Sequence, residues 1–113
     1  MDMSKPLPTA AFHILLALVG GASHGYGILQ LVREQSQGRV ALGTGSLYRH
    51  LSVLIERGLV AEGRPERGAD PRRGTAYRLT AYGRQVLSGE RERLAALVRA
   101  LDALRGASRK GQV

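Results

Sequence analysis

The sequence predicts a mainly α-helical domain with a small β-hairpin and one long C-terminal helix. Three observations carry that expectation: short stretches with helical apolar spacing precede Gly58, the spacing changes to alternation between Leu59 and Thr80, and a leucine repeat runs from Leu87 to Leu104. At 113 residues the chain suffices for one compact domain, and its 43% apolar content can build a core.

The first helix is expected from about Thr9 to Val19, with Thr9 suited to the N-cap and Gly20-Gly21 to the stop. Phe12, Leu15, Leu16 and Val19 share one face and Ala11, Ile14 and Leu18 another, so the helix is apolar nearly all round. Such a helix is buried on more than one side, and in so small a domain that points to a second subunit. The second helix begins in "SHGYGILQLVREQ", with Ser23 capping and Ile28, Leu31 and Val32 facing inward. His24, Gly25 and Tyr26 lie at its entrance, where free backbone N–H groups favour an anion, although His24 also reads as a plain capping or turn residue. The third helix lies in "GTGSLYRHLSVLIERGLV": Leu47, Leu51, Leu54 and Ile55 recur at i, i+4, i+7 and i+8, and Gly58 ends it.

Beyond Gly58 the pattern alternates. Leu59 to Arg64 is expected as a short strand, "PERGADPRRG" is turn-rich and charged, and "TAYRLT" places Tyr77 and Leu79 on one face with Arg78 on the other. The result is a hairpin with a long, arginine-bearing tip. Thr80 then caps a last helix whose Leu87, Leu94, Leu97, Leu101 and Leu104 follow a heptad seam, flanked by Val98 and interrupted at Glu90. From Ala81 to Arg105 that helix would be ~37 Å long, too long for this domain to cover, so its stripe is expected to pair with a copy of itself. The basic tail from Gly106 is expected to be disordered. Helices, hairpin and terminal helix in this order make a winged helix-turn-helix domain over residues 1–79, a dimerisation helix over 80–106 and a basic tail over 107–113.

Charge and composition restrict the function. Seventeen Lys and Arg against nine acids give a net charge of +8, with lysine only at positions 5 and 110. That excess favours a polyanionic partner, because neutralising phosphates releases condensed counterions. The absence of cysteine excludes disulfides, thiolate metal sites and cysteine nucleophiles. The longest apolar stretch, Ala10 to Ala22, falls short of the ~20 residues a membrane span needs, and no secretory signal is evident, so a cytoplasmic protein is expected. His13, His24 and His50 are far apart in sequence, and neither a phosphate-cradling GxxxxGK[ST] nor a G-x-S-x-G nucleophile elbow occurs. Neither catalysis nor a cofactor is expected.

The entrance of the third helix carries the functional reading. In helix-turn-helix proteins the second helix of the motif enters the major groove N-terminus first, so its opening turns reach base edges. With Leu47, Leu51 and Leu54 facing the core, Ser46, Arg49, His50 and Ser52 point away from it. Arg49 suits a bidentate contact to guanine, and Ser46 and Tyr48 suit phosphate oxygens, although Tyr48 equally suits packing against the second helix. Gly43 and Gly45 allow close backbone approach to a phosphate chain. In the hairpin tip, Arg64, Arg67, Arg72 and Arg73 read either as phosphate or minor-groove contacts or as a solvated loop diluted by Glu62, Glu66 and Asp70. Sequence-specific DNA binding is the leading reading. Its alternative is a module that binds nucleic acid without sequence preference or that uses the same face for protein contacts.

The blocks "GGASHGYGILQLV", "GTGSLYRHLSVLIERGLV" and "RRGTAYRLTAYGRQVL" together resemble the signature of the PadR family of bacterial transcriptional regulators, over roughly residues 11–88. The length resembles that of the shorter members, which have a single C-terminal helix. The resemblance implies a homodimer on an inverted-repeat operator in double-stranded DNA, usually a repressor, often released by a small-molecule effector or a stress signal. Two positions depart from the pattern: Thr44 and Arg49 stand where proline is common. Both restore backbone donors and add polar side chains, so the base or phosphate contacts are expected to be this chain's own. Relatives that hold aromatic ligands between their dimerising helices use tryptophan there, and this chain has none.

Overall fold

Proline and glycine set the bounds of the first helix. The computed structural model describes residues 7–63 and 74–111, of which 107–111 are described as backbone alone. Helix α1 spans Thr9–Ala17 and is entered from Pro8, whose carbonyl accepts the Phe12 N–H at 2.9 Å. Thr9 is therefore the first helical residue rather than the expected cap, because Pro8, with φ −56°, already directs the chain into the helix. After Leu18 the chain leaves through Gly20 and Gly21, the latter at φ +140°.

Strand β1 is only Ser23–His24, and helix α2 follows at once over Gly25–Gln35. Ser23 was expected to cap α2, yet His24 occupies that position, because the backbone of Ser23 is paired with Tyr77 and its hydroxyl donates to the His24 carbonyl at 3.3 Å. Ile28 and Val32 are fully buried, whereas Leu31, also expected inward, is 39% exposed. Leu31 stands at the margin of the apolar stripe, beside Leu16 and Gly20-Gly21, and the glycines have no side chain to cover it. Helices α1 and α2 are clasped by Gln35, whose Nε2 donates to the His13 carbonyl at 2.6 Å.

Helix α3 spans Thr44–Glu56, with Leu47, Leu51 and Leu54 at most 1% exposed. Its end is a Schellman motif: Leu59 N–H bonds the Leu54 carbonyl and Gly58 N–H the Ile55 carbonyl, each at 2.9 Å, with Gly58 at φ +78°. The stop expected at Gly58 is in place, and the accompanying contact joins two buried leucines, Leu54 and Leu59.

Strands β2 (Val60–Gly63) and β3 (Ala76–Leu79) pair antiparallel with Val60 opposite Leu79 and Glu62 opposite Tyr77. Tyr77 and Leu79 are buried while Arg78 is exposed, as the alternation requires. On its other edge β3 pairs with β1, so the sheet has three strands in the order β1-β3-β2 rather than the two of a simple hairpin. The core lies between this sheet and helices α1 to α3.

Helix α4 runs Ala81–Gly111. Thr80 caps it as expected: its hydroxyl oxygen accepts the Gly83 N–H at 2.9 Å and donates to the Gly58 carbonyl at 2.6 Å, joining the cap to the α3 stop. At Gly83 a Cβ would overlap the Leu59 carbonyl oxygen, so glycine is required where α4 crosses the start of β2. The helix continues past Arg105, where the sequence suggested its end. Residues 107–111, expected to be disordered, are helical backbone, because Gly106 weakens a helix by only about 1 kcal/mol and no proline follows.

Candidate nucleic-acid interface

The buried leucines of α3 fix the direction of its outer face. Thr44, Arg49 and Ser52 are exposed there, while Ser46 and His50 stand half-buried at its flank. Neither α2 nor α3 has a side-chain cap or an acidic residue in its first turn. The opening N–H groups of both helices thus carry uncompensated partial positive charge, which attracts phosphate.

Tyr48 meets the second helix. Its hydroxyl lies against Gly25, where an added Cβ would stand 2.8 Å from the oxygen, so the ring packs on the first turn of α2. The residue nevertheless remains 46% exposed, enough to offer an edge to a neighbouring molecule. Burial, and then the neighbouring Tyr48 and Glu62, raise the Tyr77 hydroxyl above its ordinary pKa. No motif in the sequence marks Tyr77 for a part in this region, although the alternation of its strand makes its inward direction legible.

At the entrance of α2, Tyr26 is 73% exposed and its hydroxyl accepts a hydrogen bond from Gln30 at 3.2 Å. His24 is half-buried, and its Nδ1 is enclosed without a hydrogen-bond partner among the described residues. The entrances of α2 and α3 meet at the Gly25–Tyr48 contact. Arg64, Arg67, Arg72 and Arg73 of the hairpin tip lie outside the described residues.

The second exposed feature is α4. Leu94, Leu97, Leu101 and Leu104 rise from 37% to 65% exposure, Val98 is exposed beside them, and Leu87 is half-buried against the core. Glu90, the interruption of the repeat, is buried and accepts the Arg93 guanidinium at 2.7 Å, which raises the arginine's pKa. It marks where the stripe leaves its own domain. An open groove of about 400 Å³ between α1 and α4 extends the stripe, lined by Phe12, Leu16, Val19 and Leu87 with Arg84 and Arg91 at its edge. The apolar outer face expected of the first helix is thus present at Leu16 and Val19. No helix among the described residues is long and apolar enough to cross a membrane.

Solved structures share this winged helix-turn-helix fold with its long terminal helix. A transcriptional regulator from Clostridium thermocellum matches at TM-score 0.66 and 21% identity, over 83% of this chain and 87% of that one. A PadR family transcription regulator from Clostridium difficile matches at TM-score 0.70 and 16% identity, over 86% and 98%. PadR from Bacillus subtilis, in complex with operator DNA, matches at TM-score 0.59 and 22% identity over 73% of this chain but 46% of that one. No curated protein matches significantly. The model of the transcriptional regulator PadR-like family matches residues 14–89, and the chain belongs to that family. It is accordingly a transcription regulator with a winged-helix DNA-binding fold, not an enzyme.

Proposed function

We propose that the protein is a sequence-specific transcriptional repressor that binds an inverted-repeat operator as a homodimer in the cytoplasm. Residues 1–79 form the DNA-binding domain, and the helix that follows holds the copies together through Leu87, Leu94, Leu97, Val98, Leu101 and Leu104. The observation that carries this reading is the outer face of α3, where Thr44 is exposed at an uncapped helix entrance and Arg49 and Ser52 are exposed over the next two turns. That entrance suits the major groove, with Arg49 on a guanine edge and the opening N–H groups on phosphate. His24 and Tyr26 flank a second uncapped entrance, on which the same phosphate chain can continue. The operator complex of Bacillus subtilis PadR supports this placement by fold.

The test is a titration of the full-length protein against a duplex selected from a random library and against a scrambled duplex, at two salt concentrations. A regulator prefers its site by about 10³ or more and keeps that preference as salt rises. Equal affinities that fall in parallel would replace this reading with purely electrostatic binding. Arg49→Ala is expected to relax selectivity at one base position per half-site by about 1–3 kcal/mol.

A further inference from the structure

We propose that Val53 is a second base-reading residue of α3, one that recognises the 5-methyl group of a thymine in the major groove. The inference rests on the regulator reading above. Val53 is 51% exposed in the third turn of a helix whose leucines are all buried in the core. Taking about 100° per residue from the buried Leu47, Leu51 and Leu54, Arg49 points almost directly away from the core and Val53 about 40° to one side of it. The two therefore share one outward strip, a single turn apart.

Among the described residues, Val53 lies outside the hydrophobic core and outside the partly buried side chains packed against it. Its neighbours one turn away on the helix surface are Arg49 and Glu56, both exposed, and His50 and Arg57, both half-buried, and it belongs neither to the buried core nor to the apolar groove between α1 and α4. A β-branched side chain is also a poorer helix former than alanine, and an exposed one gains no packing in return. Single exposed apolar residues are common on protein surfaces. Val53 differs from those by its place, on the strip that Arg49 turns toward base edges. Thymine presents a methyl group in the major groove, the one apolar mark in that groove's code, and apolar side chains contact it. Four residues of helix separate Arg49 and Val53 by about 6 Å, so the thymine lies within about two base-pair steps of the base that Arg49 reads.

The experiment uses the full-length protein and an operator selected from random duplexes. Each thymine of one half-site is replaced singly by deoxyuridine, which removes the methyl group and nothing else. Binding is measured for the wild type and for Val53→Ala, whose folding is checked by thermal unfolding. At one thymine near the Arg49-dependent base, the wild type is expected to lose about three- to fivefold in affinity, the worth of one buried methyl. Val53→Ala, which keeps only the Cβ, should show a clearly smaller loss at that thymine. Identical deoxyuridine profiles for the two proteins would overturn the inference and leave the regulator reading standing. A selection that yields no preferred sequence overturns that reading, and this inference with it.

Discussion

Leucines recur with helical spacing in both α3 and α4, yet the two helices use them in opposite ways. In α3 the leucines at 47, 51 and 54 are sealed inside the domain, and the exposed face is largely polar. In α4 only the first turns are anchored, through Thr80, Gly83 and Val86, and beyond Glu90 the leucines become steadily more exposed. The same residue type thus serves one helix as an anchor and the other as an open surface. Apolar periodicity shows that a face is made to be covered. Where the cover comes from depends on the reach of the domain around it.

The largest expected effect breaks the comparison on the α4 side. Leu97→Glu places a charge in the middle of the exposed stripe, where a partner helix would have to desolvate it. Sedimentation should then give the monomer mass, and operator binding should fall by about 10³-fold or more, toward the non-specific level, because a monomer spans a single half-site. An unchanged dimer mass would assign the stripe to some other partner.

A smaller effect sharpens the difference between the helices. Leu51→Ala leaves a cavity in the core and should cost about 2–5 kcal/mol of stability. That loss should be the same at every protein concentration. Leu101→Ala, by contrast, should lower the unfolding temperature by an amount that depends on concentration, since mass action governs any stability gained by association. Thermal unfolding of both variants over a hundredfold range of concentration separates the two. Concentration-independent losses in both would mean that Leu101 packs within its own chain.

Local signals made most of this arrangement legible. The inward leucines of α3, the glycine stop at Gly58, the Thr80 cap and the alternation of Tyr77, Arg78 and Leu79 each follow from spacing or from one residue's backbone chemistry. The outward direction of Arg49 and Ser52 followed from the same leucines. What stayed hidden depends on distant neighbours. Strand β1 is two residues long and exists only because β3 lies beside it, so no alternation announces it. For the same reason Ser23 has the chemistry of a helix cap while its backbone is held in a strand. Gly83 looks like a helix-weakening residue until the Leu59 carbonyl is seen against it. The contact between Tyr48 and Gly25, which joins two helix entrances, likewise has no signature in either segment alone.

The smallest expected effect probes the anchored side, at the sheet behind the entrance of α3. Tyr77 is buried opposite Glu62, and burial, with Tyr48 and Glu62 nearby, raises its pKa in the folded protein above the ordinary value of 10.0. The folded state therefore holds the phenolic proton more tightly than the unfolded chain does. Its contribution to stability is complete below pH ~10 and is lost as the pH rises through the raised value. Denaturant midpoints at pH ~8 and pH ~10.5 should show a larger loss for the wild type than for Tyr77→Phe, which keeps the ring and removes the titrating group. Carrying out the measurement in the Leu97→Glu background removes any contribution from association. Equal losses in wild type and variant would place the alkaline weakness elsewhere than Tyr77.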